Sequence, residues 1–339
     1  MAEKNRPRAA TAGDVAKRAG VSQSTVSRVF NKSSGVCVRG DARERVLQAA
    51  EELGYAPNAI AQIMASGRSE IIGVVVPSCY NIFYYHVLQV LTNTLKRYGL
   101  RTMAFTSEPS DNIEDLLQEL YQYQVDGVIV TSAALSQHVT AKWLQKGMPV
   151  VLFNSDLPGA AISTVQSDHF GSGVMMADYL VGTGHRSFAY VSAELSPYLN
   201  CASRQEGFVT RLRDRGFACQ VVPAAYTYAS GLEAGRLLLS QEAPPEAVFC
   251  GGDVNAFGVI DAVRLGSSLK LGRDISVAGY DAPIIEEFRG YSMTALSQST
   301  DQMAEDAVEL LLEMIRDPSM PPNLIMRPMK LVVRDSTRR

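Results

Sequence analysis

From Ile71 onward, short apolar runs alternate with amphipathic stretches of helical length, and this alternation restricts the fold more than any other feature of the chain. IIGVVVP at 71–77 is a continuous β-branched run, the pattern of a strand buried on both faces. Helical stretches to about Tyr98, near 113–124 and near Trp143 then lead to LRTMAFTS, VDGVIVTS and MPVVLFN. The pattern starts again, with helices over 169–182, 202–215, 229–240 and 254–265 preceding SFAYVSA, FACQVVPA, AVFCGGD and ISVAGYD. Strands separated by helices predict parallel sheets, here two doubly wound α/β subdomains of similar design. Ligands of such folds bind outside the carboxyl ends of the strands. Asn154 and Asp156 follow VVLF, Asp253 follows VFCGG and Asp281 follows SVAGY, which makes all four candidate ligand groups. Helix capping and turn formation are the alternative roles for the same residue types.

The region before this core has a different character. Thr11 can cap a helix, and Asp14 completes a capping box. Val15, Ala16 and Ala19 fall on one face, and Gly20 stands where a left-handed turn residue is needed. Ser22 caps a second helix whose apolar side is Val26, Val29 and Phe30. Gln23, Ser24, Ser27 and Arg28 remain on the other side, short or planar polar groups suited to base edges. Two short helices with a tight turn and a spare polar face predict a helix-turn-helix; a small helical hairpin with a solvated face is the plainer alternative. A third helix at about 41–53 is expected to bury Val46, Leu47, Ala50 and Leu53. PNAIAQIMASG then reads as a further short helix, marginal in isolation, with Ile60, Ile63 and Met64 on one side.

Charge separates the same regions. Residues 1–45 hold ten Lys/Arg against four Asp/Glu, +6, and the remainder 22 against 31, −9. A basic head on an acidic body predicts that the head alone meets a phosphate backbone. Composition excludes other classes. MAEKNRPRAA lacks the apolar run of a secretory signal, and no stretch of about 18 apolar residues predicts a transmembrane helix. Five scattered cysteines without a CxxC pair, and four histidines, predict neither a disulfide framework nor a metal site, and fit a reducing cytoplasm. No GxGxxG follows a strand, no P-loop occurs and no GxSxG elbow is present. His169 and His185 lack partners at metal-ligand spacing and read as structural or surface residues. The expectation is therefore no catalysis and no cofactor.

TAGDVAKRAGVSQSTVSRVFN, ARERVLQAAEELGYAPN, GHRSFAYVS, ISVAGYD and QSTDQMAEDAVELLL occur in this order, and through them the chain resembles the LacI/GalR family of bacterial transcription regulators over essentially its whole length. The resemblance implies base reading by Gln23, Ser24 and Arg28, and backbone contacts or flanking positions for Thr11, Thr25, Ser27 and Asn31. It makes Met64, where Leu is usual, a minor-groove wedge. Phe83 and Tyr84 match the effector-facing turn, and Arg204, Asp253, Asp281 and Gln298 match cleft positions. Gly252 departs from the family, which usually has Asn before that Asp. Carboxylates, a guanidinium, an amide and aromatic rings together suit a sugar or sugar acid, and the resemblance leaves nucleobases and other metabolites open.

The expected architecture is an all-α helix-turn-helix head over 1–56, a hinge helix and linker over 57–69, and a periplasmic-binding-protein-like core over 70–339. The core divides into an N-subdomain of about 70–167 plus 299–323 and a C-subdomain of about 168–298 plus 324–339. The expected function is a cytoplasmic, ligand-responsive repressor that binds a palindromic operator in double-stranded DNA as a homodimer, with a sugar-like effector and no membrane partner. No heptad tail of the kind that joins dimers into tetramers follows the last strand. A sugar-binding protein of a transport system is the alternative that the core alone would allow.

Overall fold

The computed structural model describes residues 10–30, 38, 40–56, 68–77, 82–108, 113–131, 147–154, 161–193, 199–281 and 290–337. The chain divides into two compact units, Met1–Ser69 and Glu70–Arg339. The expected roles of Asn31, Met64 and Asp156 fall outside the described residues.

In the first unit, α1 spans Ala12–Ala19, α2 Gln23–Phe30 and α3 Gly40–Glu52. Thr11 accepts from the Asp14 N–H while the Asp14 carboxylate accepts from the Thr11 N–H at 2.8 Å, so orphan donors at the start of α1 are satisfied reciprocally. Gly20 ends α1 at φ 66°, a conformation that a β-carbon would strain. Ser22 accepts from the Thr25 N–H at 3.2 Å and caps α2. Val15, Ala16, Ala19, Val26, Val46, Ala49 and Ala50 form the core, with Phe30 set edge-on to Tyr55. α3 contributes small residues: Leu47 and Leu53, expected inside, are 42% and 38% exposed. Ala49 and Ala50 let the helices approach closely, and the larger leucines fall on the flanks of that face.

The second unit holds β1 (Ile71–Pro77), α4 (Ile82–Arg97), β2 (Arg101–Ser107), α5 (Ile113–Gln122), β3 (Gly127–Val130), β4 (Val150–Phe153) and β5 (Ser163–Ser167). Next come α6 (His169–Gly182), β6 (Phe188–Val191), α7 (Leu199–Asp214), β7 (Cys219–Val222), α8 (Tyr228–Leu239), β8 (Ala247–Cys250), α9 (Asp253–Gly266), β9 (Ser276–Tyr280) and β10 (Thr294–Ser297). The chain ends with α10 (Thr300–Arg316), β11 (Leu324–Arg327) and β12 (Lys330–Val332). One sheet has the order β11-β5-β4-β3-β1-β2, all parallel, and the other β12-β10-β9-β8-β6-β7, parallel except for β12.

Alternation along the strands supplies both faces of each sheet. Ile72, Val74 and Val76 pack with Val87 and Leu91 of α4 and Val308 and Leu311 of α10. Val75 points the other way, to Leu116 and Leu120 of α5. In the second sheet Ala189 and Val191 meet α8 and α9, while Phe188 and Tyr190 meet α6 and α7. Each such side chain taken fully from water contributes about 1.5–3 kcal/mol before entropy is counted.

The chain passes between the sheets after β5, after β10 and after β11. The last passage corrects the expected boundary at 323. β11 pairs in parallel with β5, from Leu324 opposite Thr164 to Arg327 opposite Ser167, so residues 324–327 belong to the first subdomain. Arg327 is also clasped by both carboxylate oxygens of Asp306 on α10, each at 2.6 Å. Among the described residues no helix is long and apolar enough to cross a membrane, and no His/Cys/Asp/Glu group could hold a metal ion.

Candidate DNA-reading face and ligand site

The polar side of α2 is built as a reading face. Gln23, Ser24, Ser27 and Arg28 are exposed, and their spacing places them on one side of the helix, away from buried Val26. Thr25 is half-buried, and Ser22 Oγ lies 2.8 Å from both Ser24 Oγ and Thr25 Oγ1, a hydroxyl cluster at the helix start. Thr11 is exposed at the start of α1, its hydroxyl held by Asp14 at 2.7 Å. Arg28 makes no ion pair among the described residues, whereas Arg18 is paired with Glu52 at 2.6 Å.

In the second unit the structure brings Asn154, Arg204, Asp253, Asp281 and Gln298 into one connected polar cluster where the strands end. All five are buried. The Arg204 guanidinium lies 3.5 Å from the centre of the Tyr280 ring and donates through Nη1 to the Gly251 carbonyl. Burial works against its charge, but Tyr280, Cys201 and Asp281 around it hold its pKa above the ordinary range, so it stays protonated. Asp281 accepts from the Gln298 amide, and Gln298 in turn accepts from Ser167 at 2.7 Å. Burial raises the Asp281 carboxyl to about 7, against the pull of Arg204 and Gln298. Asn154 and Asp281 sit at φ 52° and 60°, left-handed conformations at the exits of β4 and β9 that Asn and Asp tolerate better than most residues.

Asp253 is the first residue of α9, and Gly252 occupies the cap position. The Asp253 carboxylate accepts from the Val254 N–H at 2.7 Å and from the Tyr226 hydroxyl. Burial pushes this carboxyl up, while those two donors oppose the shift. The Tyr226 ring explains the departure at 252. A β-carbon on Gly252 would lie 2.3 Å from Tyr226 Cε2, so ring and side chain exclude each other.

Two expected members belong instead to the apolar packing of the first sheet. Phe83 is a core residue, 3% exposed, packed edge-on against half-buried Tyr84. Three further residues join the cluster unannounced by sequence: Tyr226, Tyr280 and His169. His169 is not at the surface. It is buried, with Nε2 3.1 Å from Asn154 Oδ1 and Nδ1 2.7 Å from the Tyr280 hydroxyl. A neutral ring carries one proton, so His169 donates one of these bonds and accepts the other, and the Tyr280 hydroxyl also lies 2.8 Å from Met329 Sδ. Burial, then the nearby Arg204 charge, hold His169 well below its ordinary pKa and keep it neutral. An aromatic just past a strand end was the available signal for Tyr226, by the same rule that selects the acids.

Comparison with known proteins agrees with both units. Residues 11–58 match the family described as bacterial regulatory proteins, lacI family, and 177–337 match a periplasmic binding protein-like domain. The chain is 30% identical to the HTH-type transcriptional repressor PurR of Pasteurella multocida (strain Pm70), over 97% of this chain and 99% of that one. Its fold is similar to the lac repressor dimer bound to operator and the anti-inducer ONPF, with TM-score 0.86, 25% identity and coverage of 98% and 100%. It is also similar to the transcriptional regulator CelR in complex with cellobiose, with TM-score 0.72, 28% identity and coverage of 96% and 99%. With a reading helix in the first unit, a ligand-type cluster at the strand ends of the second and a full-length relative at this identity, the chain belongs to the LacI family of DNA-binding bacterial transcription regulators.

Proposed function

We propose that this protein is a dimeric repressor, acting in the cytoplasm on nucleoid DNA, whose affinity for a palindromic operator is set by a sugar-like effector. The observation that carries the reading is the exposed face of Gln23, Ser24, Ser27 and Arg28 on a helix whose other side is fixed in the head's core. Gln23, Ser24 and Arg28 read bases in the major groove, and Thr11, Thr25, Ser27 and Asn31 meet or flank the backbone. Met64 is the minor-groove wedge, and two heads span two half-sites. Arg204, Asp253, Asp281, Gln298 and Asn154 hold the effector, with Tyr84 and Phe83 in the wall and Asp156 at the same strand exit. Binding shifts the equilibrium between core arrangements that differ in DNA affinity, by differential affinity for the two. Among the described residues the cluster has no nucleophile–base pair, which supports the reading of a sensor. A transporter's sugar-binding protein has no use for the reading face.

Selection of bound sequences from random duplexes tests the assignment. The wild-type protein should enrich a two-fold symmetric site. Arg28→Ala should relax preference at one position per half-site and weaken binding by about 1–3 kcal/mol. Unchanged preference would refute base reading by Arg28.

A further inference from the structure

The charge balance of the ligand cluster restricts what it can take, on the reading that this cluster is the effector site. Two buried carboxylates, Asp253 and Asp281, face one guanidinium, Arg204, and neither is in an ion pair with it. His169, the nearest titratable group from α6, is neutral. Both carboxyls are pushed up by burial, so the described groups offer no positive charge beyond that of Arg204, which they already share, and a further anion in this desolvated place is costly.

The hydrogen-bond inventory points the same way. Asp253 receives Tyr226 and the Val254 N–H on Oδ1, and Asp281 receives Gln298 on Oδ1. The Oδ2 atom of each has no partner among the described residues, so both carboxylates still want donors. Arg204 is poorly placed to clasp an incoming carboxylate. Its Nε is enclosed without a partner, which closes the Nε–Nη2 edge used for side-on bidentate pairing, and Nη1 is committed to the Gly251 carbonyl. Its charge is already met by the Tyr280 face. What remains is an acceptor-rich cluster with one cation held by an aromatic ring.

We infer that this site takes a hydroxyl-rich ligand without net negative charge and rejects the carboxylated and phosphorylated forms of the same ring. Sugar acids, admitted by composition alone, are thereby excluded. Hydroxyls donate to the two free carboxylate oxygens and accept from Arg204. An ammonium in place of one hydroxyl is tolerated, because it meets a carboxylate.

The test is thermal shift and calorimetry on the full-length protein with matched probes. Glucose, galactose, ribose and cellobiose are set against glucuronate, galacturonate, gluconate, glucose 6-phosphate and ribose 5-phosphate, with glucosamine as the cationic arm. A neutral member should stabilise the protein, and its anionic counterpart should bind at least about 10-fold more weakly. Asp281→Asn should weaken the neutral ligand and tighten its acid counterpart by about 10-fold, an opposite movement that general damage to the fold would not produce. An anionic probe that binds as well as its neutral partner overturns the inference, and so does a panel in which no neutral probe binds. Arg204→Ala separates this failure from failure of the site itself. An anion whose response is lost in Arg204→Ala leaves the site standing and the charge rule refuted. A response unchanged in Arg204→Ala places the effector site elsewhere, and both readings fall.

Discussion

The ring of Tyr226 fills the space that a side chain on Gly252 would need, with Cε2 2.3 Å and Cδ2 2.8 Å from the position of a β-carbon there. Because the same tyrosine donates to Asp253, the glycine indirectly sets the orientation of a buried carboxylate. Gly252→Ala should swing the ring outward rather than unfold the core. The expected cost is about 1 kcal/mol of stability with a larger loss of ligand response, since a hydrogen bond to a charged group goes with the ring. Tyr226→Ala combined with Gly252→Ala should be less damaging than the sum of the two. Strict additivity in denaturant unfolding would show that the two positions do not compete for space.

His169 joins the exit of β4 to the exit of β9 through Asn154 and Tyr280. Replacing it with Ala takes one partner from a buried amide and one from a buried phenol. The expected loss is about 2–4 kcal/mol, from two unmade hydrogen bonds and a cavity. His169→Gln can keep one of the two bonds and should recover part of it. Urea unfolding of the three proteins measures this, and equal midpoints for wild type and His169→Ala would remove the bridging role.

How much of this was legible follows from which physics is local. The alternation of β-branched runs with helices, the capping box at Thr11 and the polar side of α2 are set by neighbours in sequence, and they are found where they were expected, except that the helix expected near Trp143 lies outside the described residues. Asp253 and Asp281 were legible as residues just past strands. Tyr226 obeys the same rule, but a tyrosine past a strand end reads equally as core packing. His169 has no partner at metal-ligand spacing in the sequence and is structural, its partners Asn154 and Tyr280 being 15 and 111 residues away. The return between subdomains was placed too early because LIMR and KLV, parted only by Pro328 and Met329, join different sheets. Pairing with β5 decides that, and no local pattern announces it.

Asp281 should make the core's stability depend on pH. Its folded pKa is raised to about 7 by burial, above the unfolded value near 3.8. A raised carboxyl contributes stability that is full below the unfolded value and is lost as pH rises through the folded one. Between about pH 4 and pH 7 the wild-type core should therefore lose ground against Asp281→Asn, which has no proton to release. The expected change in the difference is on the order of 1–3 kcal/mol. Unfolding free energies of the two proteins at pH 5, 6, 7 and 8 give the answer, and a difference that stays flat would mean that Asp281 is ionised throughout.

The last prediction concerns the head. The Thr11 hydroxyl accepts from the Asp14 N–H at 3.3 Å, and the Asp14 carboxylate takes the Thr11 N–H at 2.8 Å, so the start of α1 depends on a reciprocal pair. Thr11→Ala removes one half and should cost about 1 kcal/mol in the head, whereas Thr11→Ser should be near neutral. The same change removes a hydroxyl proposed to meet the DNA backbone. Thr11→Ala should therefore weaken binding to all duplexes alike without altering the selected sequence, the signature of a positioning contact. A change in base preference on Thr11→Ala would instead make Thr11 part of the reading face and would move the docking of α1 relative to the groove.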